Sequence, residues 1–187
     1  MNIDLKLVEN SIKGDTKALY NLIKEVQPTI KTMLFYLKKD ENELNDLTQD
    51  VLIKLSKKIY QLKNPMFFKT WLNQITINSY YDYLRRTKRT APVLKSLKEE
   101  NEFSPEIADT RENPQENILK NELNRIIKKS IDTMPSHYKI AITLRELQGL
   151  SYNDISKITQ SSIGTVKSRI SRARRIIKNR IKRYESS

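Results

Sequence analysis

The sequence predicts an all-α protein built as two small helical bundles joined by a flexible acidic linker. Three observations carry that expectation. Only three glycines, Gly14, Gly149 and Gly164, occur in 187 residues, too few for the close-set turns of a strand-rich chain. Apolar residues recur at spacings of three and four over long stretches, the period of one helix face. Between those stretches, residues 91–118 hold three cations against seven acids, with Pro92, Pro105 and Pro114 and few large apolar residues. Such a composition cannot bury a core and reads as a linker.

The elements follow in order. Leu5, Val8 and Ile12 mark a helix over residues 4–13, ended by Gly14 in the position where glycine takes the left-handed conformation cheaply. Asp15 caps the next helix, with Ala18, Leu19, Leu22, Ile23 and Val26 inward. Pro28 is expected to kink or restart it, since proline lacks an N–H and its ring crowds the preceding turn. Ile30, Met33, Leu34 and Leu37 continue the stripe to about Lys38, and Lys39–Asn42 is a connection. A helix from about Glu43 to Tyr60 buries Leu44, Leu47, Val51, Leu55 and Ile59. Leu62–Pro65 breaks it, because the residue before proline avoids the helical region. Phe68, Trp71, Leu72, Ile75 and Ser79 then form one stripe, with Trp71 assigned to the core.

After the linker, Asn113 caps a helix with Pro114 at its first position; Leu119, Leu123, Ile126, Ile127, Ile131 and Met134 are its inward stripe. Pro135-Ser136 starts another helix, with Ile140, Ala141, Leu144 and Leu147 inward and Gly149 at its end. The chain thus divides into an N-terminal domain (1–90), the linker (91–112) and a C-terminal domain (113–187).

The most informative stretch is Gly149–Ile181. Ser151 and Asp154 form a capping-box-like pair ahead of a short helix, Tyr152–Thr159, and Gln160-Ser161-Ser162 supplies a polar turn. Ile163, Val166, Ile170, Ala173, Ile177 and Ile181 then make a single apolar stripe. The opposite face carries Thr165, Ser168, Arg172, Arg175 and Asn179. From Ile163 to Ser187 nine Lys or Arg face one acid, Glu185, a local charge of +8. A short helix, a turn and a helix faced with hydroxyls and guanidiniums is the build of a helix-turn-helix DNA reader.

Two further surfaces stand out. Asp46, Gln49 and Asp50 are acidic or polar residues on one helix of a chain whose net charge is +13, suited to a protein partner with a basic patch. Tyr80, Tyr81 and Tyr83 stand beside Arg85, Arg86, Lys88 and Arg89, a pairing of stacking surfaces with phosphate-seeking cations that single-stranded or melted nucleic acid requires.

Composition also limits the chemistry. The chain has no cysteine and one histidine, His137, which excludes disulfides and thiolate metal sites and leaves little for imidazole catalysis. There is no Gly-rich phosphate loop. No metal, cofactor or catalytic residue is expected. No apolar run reaches a membrane span, and the N-terminus lacks a signal-peptide core, so a soluble, intracellular protein with no membrane insertion is expected.

These residues resemble the sigma factors of bacterial RNA polymerase, in the small two-domain extracytoplasmic-function (ECF) group of the sigma-70 family. Asp46-Leu47-Thr48-Gln49-Asp50-Val51 is similar to the family's segment 2.2. Phe68, Trp71-Leu72, Ile75 and Asn78, with Asp82, Leu84, Arg85, Arg86 and Arg89, are similar to the segment that follows it. Leu150-Ser151-Tyr152, Asp154-Ile155, Gly164 to Arg169 and Arg172-Ala173-Arg174 are similar to segment 4.2. The two motif sets stand in the family's order on either side of the linker. Two positions depart from the pattern: Gln160 stands where the turn usually has glycine, and Ser156 at the small buried position before it.

The resemblance implies that the protein is not an enzyme but a cytoplasmic, nucleoid-associated subunit that binds core RNA polymerase at its clamp and flap regions and opens promoter DNA. Asp46, Gln49 and Asp50 would dock on the polymerase. The loop with Lys63 and Asn64 would take a flipped base of the −10 element. Asn78, Tyr81, Arg85, Arg86, Lys88 and Arg89 would follow the melted strand. Thr165, Lys167, Ser168, Arg169, Ser171, Arg172 and Arg175 would read the −35 element, and an anti-sigma factor is a further partner the family brings. The competing reading is a free-standing helix-turn-helix regulator, which accounts for Gly149–Ile181 but not for Asp46–Asp50 or Asn78–Arg89. An RNA-binding accessory protein would account for the charge alone.

Overall fold

A computed structural model describes residues 3–37, 41–90 and 114–186. The linker and Asn113 lie outside them, as do the side chains of Lys88, Arg89, Glu116 and Leu119.

Among the described residues the regular structure is entirely helical. Four helices precede the linker: α1 (Leu5–Ile12), α2 (Thr16–Leu37), α3 (Glu41–Lys58) and α4 (Phe68–Thr90). Four follow it: α5 (Pro114–Asp132), α6 (Ser136–Glu146), α7 (Tyr152–Thr159) and α8 (Ile163–Glu185). Two short 3₁₀ turns, Ile59–Gln61 and Pro65–Phe67, join α3 to α4.

The starts of these helices follow from local chemistry. Asp15 accepts from the Lys17 and Ala18 N–H groups, satisfying donors that have no partner within the first turn of α2. Gly14 takes φ +92° and Gly149 φ +63°, as their places after helix ends require. Pro28, by contrast, neither ends nor restarts α2, which runs through it. Val26, Ile30, Met33 and Leu34 are all buried on that helix, and apolar packing on both sides of Pro28 outweighs the lost backbone bond.

In the N-terminal bundle, α2 packs against α1, α3 and α4, and α3 against α4. In the C-terminal one, α8 packs against α5, α6 and α7. The two bundles also touch each other: α2 meets α5 and α6, and α4 meets α7. The Gln74 side-chain amide donates to the Ile158 carbonyl at 3.2 Å, and the Lys128 ammonium lies 4.8 Å from the centre of the Phe35 ring.

Some expected core positions are not core. Leu123 is 43% exposed, Leu147 41% and Ile163 42%. Leu147 stands beyond the last residue of α6 and Ile163 opens α8, so each lies where its helix has only begun or already ended its packed face. Tyr80 departs in the other direction. It is buried, and its hydroxyl donates to the Leu37 carbonyl at 2.9 Å, so it belongs to the core and not to a stacking surface. Tyr83 donates to the Glu43 carboxylate at 2.9 Å, which leaves Tyr81 as the member of the trio that faces the cleft described below.

Candidate nucleic-acid interface

The reader is assembled from short-range polar contacts over a buried floor. Ser151 accepts from the Asp154 N–H at 3.1 Å and donates to its carboxylate at 2.6 Å, closing the first turn of α7. The helix ends at Gln160, which takes φ +49°, the left-handed region. A side chain there carries a steric cost that glycine does not. The turn is braced in return: the Ser156 hydroxyl donates to the Ser161 carbonyl, and the Arg169 guanidinium donates to the Ser161 hydroxyl at 2.8 Å. Ser162 then caps α8 by accepting from the Thr165 N–H at 3.1 Å. Beneath, Ile155, Ile158, Val166, Ile170 and Ala173 are buried.

Lys167, Ser168, Ser171, Arg172 and Arg175 all stand exposed on α8, while Thr165 and Arg169 are half-buried beside the turn. The Arg172 guanidinium donates to the Tyr138 hydroxyl of α6 at 3.1 Å. Tyr138 and its neighbour His137 therefore border the reader, a placement not foreseen from the sequence, where they lie more than thirty residues away. Partial burial together with the Arg169 and Arg172 charges lowers the His137 pKa from its ordinary 6.5. A polyanion that neutralises those arginines raises it again, so binding takes up a proton and affinity for duplex DNA is expected to rise as pH falls through the range in which His137 titrates. His137→Asn is expected to flatten that pH dependence in a fluorescence-anisotropy titration; an unchanged slope would exclude the linkage.

The second surface lies on α4. Asn78, Tyr81 and Arg85 line an open cleft whose opposite wall is Ile158 and Thr159 at the end of α7 and Gln160 of the reader's turn. Burial raises the Tyr81 phenol pKa, and the Arg169 charge opposes it. Arg86 is exposed on the same helix. Lys63 and Asn64 are not part of this cleft; they occupy the turn before α4, where Asn64 accepts from the Met66 N–H at 2.9 Å. Met66 and Phe67 follow, 70% and 64% exposed. These two adjacent apolar side chains are displayed to solvent beside a polar turn. The sequence signal for them was their position just before the stripe that starts at Phe68.

The third surface is on α3, where Asp46 and Gln49 are exposed and Asp50 is half-buried. Asp50 Oδ2 lies 2.8 Å from the Lys54 ammonium. No group of three or more potential metal ligands occurs among the described residues, and no described helix is long and apolar enough to cross a membrane.

Residues 22–90 match the family Sigma-70 region 2, and residues 124–177 match Sigma-70, region 4. The chain is 36% identical over 182 residues to the ECF RNA polymerase sigma-E factor of Haemophilus influenzae, covering 95% of each. The chain belongs to the ECF sigma factors. The sigma-E factor of Escherichia coli K12 is 34% identical over 181 residues, covering 95% of this chain and 94% of that one. Among solved structures, the sigma factor RpoE from Bartonella quintana, crystallised with the anti-sigma factor NepR, superposes with a TM-score of 0.71 at 26% identity. It covers 89% of this chain and 98% of its own. CnrH, solved with the cytosolic domain of CnrY, shares the fold, with a TM-score of 0.64 at 16% identity, covering 96% and 97%. As a sigma factor the protein is an RNA polymerase-binding, DNA-binding subunit of transcription initiation, and sigma factors are in general non-catalytic promoter-recognition proteins.

Proposed function

We propose that this sigma factor acts through three separate surfaces: α3 docks on the core polymerase, α8 reads the −35 element, and α4 with the preceding turn holds the −10 element as it opens. On this reading residues 1–90 form the docking and melting domain, residues 91–112 the linker and residues 113–187 the −35 domain. The observation that supports it is that Asp46 and Gln49 stand exposed and do not line the cleft. Asp46 and Gln49 are displayed on α3, on a bundle whose other polar face, around Asn78, Tyr81 and Arg85, lines the cleft beside the reader's turn. A free-standing regulator has no use for the first of these. The protein catalyses no reaction of its own, works in the bacterial cytoplasm in association with the nucleoid, and has an anti-sigma factor as a further partner.

Lys167, Ser168, Ser171 and Arg172 meet base edges in the major groove, with Thr165, Arg169 and Arg175 beside them. Tyr81 and the exposed aromatic of the turn stack on unpaired bases, while Lys63, Asn64, Asn78, Arg85, Arg86, Lys88 and Arg89 accompany the strand. Since Gln160 shares the cleft with Asn78 and Tyr81, a strand held there passes beside the reader's turn.

Transcription from a promoter library by core polymerase with and without the protein tests the whole reading. Start sites at a fixed distance from a two-part sequence are expected only with the protein present. Sequence-specific duplex binding without initiation would favour the free-standing regulator. Within the reader, Arg172→Ala is expected to lose about 1–3 kcal/mol of discrimination at one base pair. Arg180→Ala, further along α8, is expected to weaken all sequences alike and to reduce the salt slope by about one. Equal loss of preference from both variants in a competition assay would contradict the assignment.

A further inference from the structure

An alternating row of charges connects α3 to α4: Asp50, Lys54, Asp82 and Arg85. The Lys54 ammonium lies 2.8 Å from Asp50 Oδ2 and 3.6 Å from Asp82 Oδ2, and it donates to the Ser79 hydroxyl at 2.9 Å. Asp82 is also hydrogen-bonded to the Arg85 guanidinium. Each inner charge is therefore shared between two opposite ones. The row has a soft joint at each end. Asp50 Oδ2 is buried and, although close to Lys54, forms no aligned hydrogen bond. Arg85, at the other end, is 69% exposed and opens into the cleft of the strand surface.

We propose that Lys54 is a positioning residue that couples polymerase docking to strand binding through this row. The proposal rests on the reading of Asp50 as a docking residue and Arg85 as a strand residue. A cation from the polymerase that engages Asp50 draws its carboxylate from Lys54. The ammonium then moves towards Asp82, whose second partner, Arg85, is loosened and becomes available to a phosphate. The reverse holds by linkage: a phosphate at Arg85 frees Asp82 for Lys54, and with it Asp50 for the polymerase. Lys54 and Asp50 are the less exposed pair, whereas the Asp82–Arg85 end is solvated and weakly held, so one incoming ion suffices to redistribute the partners. No backbone movement is needed.

The test measures the affinity of the full-length protein for core polymerase with and without a saturating single-stranded oligonucleotide of the −10 non-template strand. The ratio of the two affinities is the coupling. Contacts that the polymerase itself makes to the strand enter wild type and variants alike. In Lys54→Met the coupling is expected to drop by about fivefold, the lower end for two linked sites, and Lys54→Arg is expected to restore part of it. Asp82→Asn gives a second readout, the fall in coupling, since Asp82 lines the cleft and the loss of its charge alone raises oligonucleotide affinity. It releases Arg85, so oligonucleotide affinity without polymerase should rise while the coupling falls. Thermal melting of each variant separates misfolding from lost coupling. Should Lys54→Met destabilise the fold, Asp82→Asn carries the test. Undiminished coupling in folded Lys54→Met or Asp82→Asn overturns the proposal. Asp50→Ala and Arg85→Ala report on the underlying assignment: if the first leaves polymerase affinity intact, or the second leaves oligonucleotide affinity intact, that assignment falls and takes the proposal with it.

Discussion

Replacing Asp46 and Gln49 together with lysine is expected to weaken binding to core polymerase by about a hundredfold or more. Both side chains are exposed on α3, so the substitutions should leave stability within about 0.5 kcal/mol. Their effect falls on the encounter with a basic surface, where setting like charges against each other costs several kcal/mol, and each factor of ten is about 1.4 kcal/mol. Asp50 is the less suitable target although it lies on the same helix. Its carboxylate is 2.8 Å from Lys54, and a cation placed there would face another cation inside the molecule, mixing a folding defect with a docking defect. The measurement is a competition for core polymerase against the unsubstituted protein, with the melting temperature and −35 duplex affinity as controls. Both controls should be unchanged, since the reader lies in the other bundle. Unaltered competition by a folded double variant would remove α3 from the docking surface.

Much of the fold was legible because its determinants are local. Asp15, Ser151 and Ser162 cap helices through contacts no more than three residues away, and the α8 stripe of Val166, Ile170 and Ala173 is buried as its period requires. What the sequence concealed depends on partners far along the chain. Tyr80 looked like a stacking residue among cations, yet its hydroxyl finds a carbonyl 43 positions back, at Leu37. Tyr138 meets Arg172 across 34 positions, and Gln74 meets Ile158 across 84. No periodicity encodes such pairings. For a different reason, Pro28 does not restart α2: its local cost is real, but the burial along both sides of it exceeds that cost. The shared charges of Lys54 were hidden because a lysine on a helix is ordinarily solvated, and only the approach of α4 turns it into a junction.

Phe67 and Phe68, adjacent in sequence, should give opposite results when replaced by alanine. Phe68 opens α4, is 2% exposed and packs on Trp71 with ring centres 6.0 Å apart. Removing its ring leaves a cavity and should cost about 3–5 kcal/mol, a large part of the roughly 5–15 kcal/mol that holds a small domain together. For a bundle of this size that lowers the melting temperature by more than about 10 °C and weakens strand binding only as far as the folded population falls. Phe67, 64% exposed at the end of a 3₁₀ turn, contributes little to the fold, and its removal should shift stability by no more than about 0.5 kcal/mol. If its ring stacks on an unpaired −10 base, the loss appears instead in binding, at about 1–3 kcal/mol. Salt then separates stacking from charge. Phe67→Ala should lower oligonucleotide affinity by the same factor at every salt concentration. Lys63→Ala, one residue before the Asn64 cap, should reduce the salt slope by about 0.7, the value for one phosphate on a single strand. A folded Phe67→Ala variant with full affinity for the −10 strand would mean that this ring is displayed for another partner, and the turn's part in holding the base would pass to Lys63 and Asn64 alone.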